Sequence, residues 1–233
     1  MLIVPLKRCL VAFIRGKFIQ VVKDVYLKKS TFTHLIEGAA GQIEVRCHPA
    51  KDADKSVKLV VLSHPHSLHG GTMNNKVVTT MERAFSHLGY ATVAYNFRGV
   101  GQSEGEYDNG GGEQDDLIAV VEWAKAEFNA EHVTLAAFSF GSYVSLKVSK
   151  KIAVDALCTV APPVGLYDFS GIHPVKQPWV VIQGGRDEVV SASEILAWAM
   201  SGESPPDLYW RAEASHFLHG ELIWLKKVIS MAY

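Results

Sequence analysis

A serine, an aspartate and a histidine each follow a predicted strand in the second half of the chain, and together they could carry nucleophilic chemistry. Ser139 comes after an apolar run, Asp187 follows the apolar run 179–183, and His216 follows the run 208–211. A serine hydroxyl is a weak nucleophile at neutral pH and needs a base such as imidazole within hydrogen-bond reach. A carboxylate on the other ring nitrogen fixes the imidazole tautomer and stabilises its cation. We therefore predict nucleophile, base and orienting acid roles for Ser139, His216 and Asp187.

The stretch around this serine predicts a strand that turns sharply into a helix. Residues 133–138 are apolar and short enough for a buried strand, and the apolar residues of 140–147 have helical spacing. Ala137 and Gly141, the second neighbours of the serine, are small, as a turn with a crowded backbone requires. Such a turn aims the first N–H groups of the helix at the hydroxyl, so the N–H of Phe140 is a predicted oxyanion donor. A serine that merely caps the helix is the alternative.

The loop after the predicted strand 57–62 is expected to supply the second oxyanion donor. Pro65 has no N–H, which leaves the backbone N–H of His66 or of Ser67. The same loop holds three histidines within six residues, a pattern that could bind a metal. No cysteine or carboxylate lies near them in sequence, so we predict no metal ion here.

Other residues compete for two of the three roles. Asp155 begins a predicted strand and Asp168 lies in a connection between strands, so both are weaker candidates than Asp187 for the acid. His219 lies three residues beyond His216 and is the reserve base.

Several side chains near the serine are candidates for contact with a substrate. We predict this role for Ser67, Phe138 and Phe217, the two phenylalanines forming part of an apolar acyl pocket. Packing in the core is the alternative for aromatic residues in this position.

The wider pattern alternates strands with helices after an opening hairpin at 32–47. Helices are predicted over 74–88, 113–128 and 221–231, which indicates a mostly parallel sheet covered on both faces. The carboxyl ends of parallel strands share one edge, where distant residues converge. The connection 166–178 is too short for a helical cap, so we expect an open, shallow site.

A glycine-rich loop at 98–105 follows a predicted strand and could cradle a phosphate. It lacks the lysine of a P-loop, and the next helix begins late, so nucleotide binding is disfavoured. We interpret it as a shaped loop.

The composition and the net charge of the chain disfavour several classes of function. With 233 residues, 48% apolar, the chain suits one large domain, and a net charge of −1 disfavours nucleic-acid binding. No apolar run reaches the roughly 18 residues that span a bilayer. Three scattered cysteines favour a reduced, cytoplasmic setting.

The first 30 residues differ from the rest. They hold seven basic residues and one acidic residue, a net charge of +6. A signal peptide is disfavoured because Arg15 and Lys17 interrupt the apolar stretch and no cleavage site follows. We predict a basic amino-terminal extension at 1–30, either an arm, a misplaced start or a membrane-surface anchor, and a catalytic domain at 31–233.

Five motifs resemble one family, the small lidless bacterial α/β-superfamily hydrolases, which are akin to dienelactone hydrolases. The motifs cover the chain from about residue 31 onward, and they are His64-Pro65-His66 with Gly70-Gly71-Thr72-Met73, Asn96 to Gly105, Phe138 to Gly141, Ala161-Pro162-Pro163, and His216 to Gly220. The resemblance implies an α/β-hydrolase fold without a cap domain and esterase-like activity. Ala137 stands where glycine is usual, and Ser67 where a second proline is usual.

The combined prediction is a serine hydrolase that cleaves carboxylic esters of small or medium acyl groups through an acyl-enzyme, without a cofactor. Thioester, lactone or peptide cleavage on the same residues is the alternative, as is a binding protein that keeps the fold without turnover. The expected partner is a small-molecule ester. The sequence leaves the oligomeric state open, a homodimer included.

Overall fold

The fold is known from a computed structural model, which describes residues 31–50, 57–173 and 175–233 with their side chains and the backbone of 3–6, 9–14 and 17–21. The amino-terminal segments are strands β1 (Ile3–Leu6), β2 (Cys9–Ile14) and β3 (Lys17–Val21). They pair antiparallel in a sheet of their own. The remaining residues of the predicted extension at 1–30 lie outside the described residues, and the domain boundary stays a prediction.

Eight strands form the main sheet, and most are runs of branched apolar residues. They are β4 (Phe32–Gly38), β5 (Gly41–His48), β6 (Val57–Ser63), β7 (Ala91–Tyr95), β8 (Ala130–Phe138), β9 (Ala156–Val160), β10 (Trp179–Gly184) and β11 (Asp207–Arg211). Their order across the sheet is β11-β10-β9-β8-β6-β7-β5-β4. β5 pairs antiparallel with β4 and β7, and the other neighbours pair parallel, as the sequence predicted.

Helices cover both faces of this sheet. They are α1 (Lys76–His87), α2 (Gly112–Phe128), α3 (Phe140–Val148), α4 (Ala192–Met200) and α5 (Leu222–Ala232). Alternate residues of β6 point to opposite faces, because the side-chain period of a strand is two. Leu59 and Val61 join the core that includes α2 and α3, whereas Val60 and Leu62 join the core that includes α1 and α5.

The register of β6 against β8 places the site. β6 lies between β7 and β8, and Ser63 at its end pairs with Ala137 near the end of β8. The loop that leaves β6 therefore starts beside the turn that follows β8. This is the crevice at the carboxyl ends of the strands, where open α/β sheets bind ligands.

Some predicted boundaries differ from the structure. The strand predicted over 91–97 ends at Tyr95, and the N–H of Phe97 donates to the His64 ring instead of to a strand. β8 begins at Ala130, earlier than predicted, because it pairs with β6 from Val57 onward. Within the connection 161–178, the described residues form no helix, so no helical cap covers the site.

None of the helices in the described part of the chain has the length and the apolar character needed to cross a membrane.

Candidate active site

Ser139 occupies the turn between β8 and α3 in a backbone conformation that is uncommon for residues other than glycine. Its φ is 52° and its ψ is −120°, and its N–H donates to the Val160 carbonyl at 2.8 Å. Such strained dihedrals persist only where the surrounding structure fixes them, and they cluster at functional sites. The residue is 8% exposed, so its hydroxyl is nearly enclosed.

Gly141 allows this turn to touch the end of β6. A Cβ atom at Gly141 would lie 2.6 Å from the Ser63 carbonyl oxygen and 2.7 Å from that of His64. The first turn of α3 therefore packs directly on the backbone from which the next loop departs. Ala137, where glycine is usual in the related family, is fully buried, so its methyl group is accommodated.

The structure brings the three residues predicted for nucleophilic chemistry into one hydrogen-bonded chain. His216 Nε2 lies 3.0 Å from Ser139 Oγ, and His216 Nδ1 lies 2.8 Å from Asp187 Oδ2. The side chains of His216 and Asp187 are 3% and 0% exposed. A neutral imidazole that donates from Nδ1 to Asp187 has its Nε2 lone pair directed at the serine hydroxyl.

Asp187 is held by four hydrogen bonds. Oδ1 accepts the N–H groups of Val189 and Val190 at 2.9 Å each, and Oδ2 accepts from His216 and from Gln183 Nε2 at 2.8 and 3.0 Å. Burial by itself raises the pKa of this carboxyl, but the hydrogen bonds from His216 and Val190 keep the pKa below its usual value. Asp187 is therefore ionised at neutral pH and can stabilise an imidazolium.

Two residues that the sequence analysis missed help to position the hydrogen-bonded side chains of His216 and Asp187. Gln183, fully buried at the end of β10, bonds Asp187 through its amide nitrogen. Glu188 accepts the backbone N–H of His216 at 3.0 Å, which ties the histidine loop to the acid loop. A glutamine inside an otherwise apolar strand was the available signal, since a buried amide needs partners.

The competing candidates lie elsewhere. Asp155 accepts the N–H of Val133 at 2.7 Å, and Asp168 accepts the N–H of Ser170 at 2.9 Å. His219 is exposed, with its ring beside Phe217. None of the three forms a hydrogen bond with Ser139 or His216 among the described residues.

The loop after β6 carries two histidines with different environments. His64 is fully buried: its Nε2 accepts from the Phe97 N–H at 3.0 Å, so its Nδ1 donates to the Pro65 carbonyl at 2.6 Å. Both ring nitrogens are thus in use, and neither is free to bind a metal. Burial lowers the pKa of His64 to about 4, which keeps the ring neutral.

His66 presents its ring to the site. Its Nδ1 accepts the N–H of Leu68 at 3.2 Å, so the neutral ring carries its hydrogen on Nε2, which lies 3.1 Å from Tyr107 Oη. Partial burial, and secondarily the neighbouring His69, lower the pKa of His66. Within the described part of the chain, the backbone N–H of His66 and that of Phe140 have no acceptor. Both are therefore available to an oxyanion.

The three predicted substrate contacts differ in position. Ser67 Oγ is buried without a hydrogen-bond partner among the described residues and lines neither cavity beside Ser139. Phe138 is fully buried, its ring centroid 5.1 Å from that of His216, so it supports the histidine from behind. Phe217 is 39% exposed and lines the smaller cavity.

Two cavities meet at Ser139. The larger, of about 490 Å³, extends toward the connection after β9 and is walled partly by Leu166 and Tyr167. The smaller, of about 310 Å³, lies on the side of His216. The short connection after β9 therefore supplies part of the wall of the larger cavity.

Hydrogen bonds hold the glycine-rich loop at 98–105 in place. Arg98, the basic residue that a phosphate would need, forms hydrogen bonds of 2.8 to 3.1 Å with the buried carboxylate of Asp116. Glu44 accepts the side-chain amide of Asn96 and the N–H of Gln102. These bonds fix the loop that leads to Tyr107.

The chain is similar to known α/β serine hydrolases in both sequence and fold. A family model described as X-Pro dipeptidyl-peptidase (S15 family) matches residues 45–173. An α/β serine hydrolase homologue from Coxiella burnetii is 44% identical, with a TM-score of 0.82 over 86% of this chain and 96% of that one. An α/β serine hydrolase without lid from Xanthomonas campestris is 39% identical, with a TM-score of 0.81 over 87% and 93% of the two chains. An uncharacterized protein of Rickettsia prowazekii is 36% identical over 163 residues, 68% of each chain.

Proposed function

This chain belongs to the X-Pro dipeptidyl-peptidase (S15) family and is a lidless α/β serine hydrolase, and we propose that it cleaves carboxylic esters of small or medium acyl groups through an acyl-enzyme on Ser139. The observation that carries the proposal is the hydrogen-bonded chain from Ser139 through His216 to Asp187. A serine, a neutral imidazole and an ionised carboxylate in this order are what acyl transfer needs.

In the proposed first step, Ser139 Oγ attacks the ester carbonyl and gives its proton to His216 Nε2. Asp187 stabilises the imidazolium, and the N–H groups of His66 and Phe140 bind the oxyanion. The tetrahedral adduct collapses when His216 donates that proton to the alkoxide, and the alcohol leaves.

In the second step a water molecule attacks the acyl-enzyme while His216 takes its proton. Collapse returns the proton to Ser139 Oγ and releases the carboxylic acid. Ester and water thus become acid and alcohol, and the chemistry requires no cofactor or metal ion.

Peptide cleavage is the second candidate, because the family takes its description from a dipeptidyl-peptidase. An enzyme that releases dipeptides from a free amino terminus must bind an ammonium group. The described residues that line the two cavities include no aspartate or glutamate. This lining favours uncharged esters, and rates on matched oxygen esters, sulfur esters and dipeptide anilides would separate the activities.

The decisive experiment is labelling with a fluorophosphonate probe, followed by mapping of the modified peptide. We expect labelling at Ser139, loss of labelling and a fall of at least about 1,000-fold in esterase kcat in Ser139→Ala, and weaker labelling in His216→Ala. Ser149→Ala, at the far end of α3, is the matched control and should label normally.

Two outcomes would count against the proposal. Full esterase activity in folded Ser139→Ala would remove Ser139 from the reaction. Absence of labelling in folded wild-type protein would favour a binding protein of the same fold.

A cytoplasmic setting belongs to the same proposal. Cys47 and Cys158 are free and buried, and burial raises the pKa of both thiols to about 12. Fractionation of the source cells would test the location, and light scattering of the purified protein would test the predicted option of a homodimer.

A further inference from the structure

The two cavities beside Ser139 are lined differently, and this difference orients the substrate. His216 lines the smaller cavity together with Phe217 and two glycines of the β6 loop, but it does not line the larger one. In ester cleavage the leaving oxygen takes its proton from the histidine, so it must lie within hydrogen-bond reach of His216 Nε2. The alcohol therefore belongs in the smaller cavity, and the acyl group in the larger one.

Aromatic rings form one wall of this acyl cavity. Tyr107, Phe140 and Tyr167 line it together with the His66 imidazole. The ring centroids of Tyr107 and Phe140 are 5.7 Å apart, those of Phe140 and Tyr167 are 5.4 Å apart, and the His66 ring lies 4.8 Å from Tyr107. Rings at such separations favour a further ring stacked on them or set edge to face.

The hydroxyl groups of Tyr107 and Tyr167 in this wall include one hydrogen-bond donor without an acceptor among the described residues. His66 Nε2–H donates to Tyr107 Oη at 3.1 Å, and Tyr107 Oη lies 3.4 Å from Tyr167 Oη. The contact between the phenols uses one of their two hydrogens. The other hydrogen has no acceptor among the described residues, although both tyrosines are half-buried and line the cavity. Burial raises the pKa of Tyr167, so this phenol keeps its proton at neutral pH.

The acyl cavity contains no side chain with a permanent charge among its described lining residues. Beyond the aromatic wall, the cavity is lined by Leu68, His69, Asn109, Pro163, Leu166 and Val189. Leu68, Leu166 and Val189 are 68%, 58% and 45% exposed, so the mouth is apolar. A carboxylate or an ammonium on the acyl group would lose its water without a partner, which is costly.

From these observations we infer that the acyl cavity binds an uncharged aromatic acyl group that carries a hydrogen-bond acceptor, received by the spare phenolic hydrogen of the Tyr107–Tyr167 pair. This assignment rests on the proposed esterase function and specifies its substrate class. The smaller cavity takes the alcohol, for which its volume of about 310 Å³ sets a tighter limit.

The test compares methyl esters, so that the alcohol stays constant. We expect kcat/KM for methyl para-ethylphenylacetate to exceed that for methyl trans-4-ethylcyclohexylacetate by about fivefold, which is the gain expected from one aromatic pair. We expect methyl para-methoxyphenylacetate, which has nearly the same shape as the ethyl compound but adds an acceptor, to gain about fivefold more, as one neutral hydrogen bond supplies. These comparisons use the wild-type protein and depend on no variant.

The variants locate the donor. Either tyrosine alone retains a free hydroxyl, so the double variant Tyr107→Phe/Tyr167→Phe is needed, and it should lose the methoxy preference while it still cleaves the ethyl compound. Tyr143→Phe is the control: its ring stacks on Tyr167 at 4.9 Å, but it does not line the cavity, so the preference should persist.

The outcomes separate the two proposals. Ester cleavage without aromatic or methoxy preference, or a full methoxy preference in the double variant, would overturn the acyl assignment and leave the esterase proposal intact. Failure of the wild-type protein to cleave these esters, while fluorophosphonate still labels Ser139, would also overturn the acyl assignment alone. Failure both to cleave the esters and to label with fluorophosphonate would overturn both.

Discussion

The imidazole of His64 ties the loop after β6 to the end of β7. It accepts from the Phe97 N–H through Nε2 and donates to the Pro65 carbonyl through Nδ1. Only the neutral ring can do this, since a protonated Nε2 has no lone pair for the Phe97 N–H. The loop that holds His66 beside Ser139 therefore depends on an uncharged His64.

The two hydrogen bonds of the neutral His64 ring predict how the stability of the fold changes with pH. The pKa of His64 is about 4 in the folded protein and about 6.5 in an unfolded chain, so the unfolded state binds the proton first as the pH falls. The stabilisation is complete above pH 6.5 and is lost toward pH 4. We expect the free energy of unfolding in urea to decrease by about 3 kcal/mol across this range because of His64 alone.

A comparison of variants isolates the contribution of His64 from that of the other titrating groups. His64→Gln should be less stable at pH 7 but should show a flatter decline between pH 6.5 and 4. His219→Gln, at an exposed loop histidine, should follow the wild-type decline. An unchanged slope in His64→Gln would contradict the assignment.

At the scale of elements, the site depends on how closely α3 approaches β6. Gly141, the second residue of α3, lies against the carbonyl groups of Ser63 and His64, and an added Cβ would lie within 2.7 Å of both oxygens. Backbone atoms cannot move aside as a flexible side chain can. Any larger residue therefore separates the Ser139 turn from the loop that carries His66.

We accordingly expect Gly141→Ala to lower kcat/KM by about 100-fold, the cost of misplacing a catalytic group by about 1 Å. Ester hydrolysis and thermal unfolding would be measured together. Ala137→Gly, at the other second neighbour of Ser139, is the matched control. It should keep kcat/KM within about twofold and lose only about 1 kcal/mol of stability, because it removes a methyl group without introducing a contact. Equal activity in both variants would show that the close approach does not matter.

At the scale of the whole molecule, the sheet that carries the site is complete without the amino-terminal strands. β4 starts at Phe32, and the strand pairs described for the main sheet all involve residues after it. The strands between Ile3 and Val21 pair with one another.

We therefore expect a protein that begins at residue 31 to fold, with kcat/KM within about threefold of the full chain and a thermal midpoint within about 5 °C, since no strand pairing of the main sheet is lost. Circular dichroism and ester hydrolysis on both proteins would test the predicted boundary. Aggregation or inactivity of the shorter protein would show that the extension is part of the domain.

Much of this organisation was predictable from local sequence. Short apolar runs predicted the strands, and small residues on both sides of Ser139 predicted the turn. Because carboxyl ends of parallel strands share an edge, the order of Ser139, Asp187 and His216 predicted that the three would meet. These inferences need only the period of the apolar pattern and the alternation of strands with helices, which predicts a parallel sheet.

Tertiary structure alone decided which side chains surround Ser139, His216 and Asp187. The pairing of Ser63 with Ala137 and the contact of Tyr107 with His66 join residues that are far apart in the sequence. Loop packing sets such contacts, because side chains on separate loops meet only when the sheet register and the paths of both loops are fixed. For the same physical reason the sequence predicted the serine, the acid and the histidine together with their order, whereas the aromatic wall of the larger cavity, with its pair of tyrosine hydroxyls, was decided by the folded molecule.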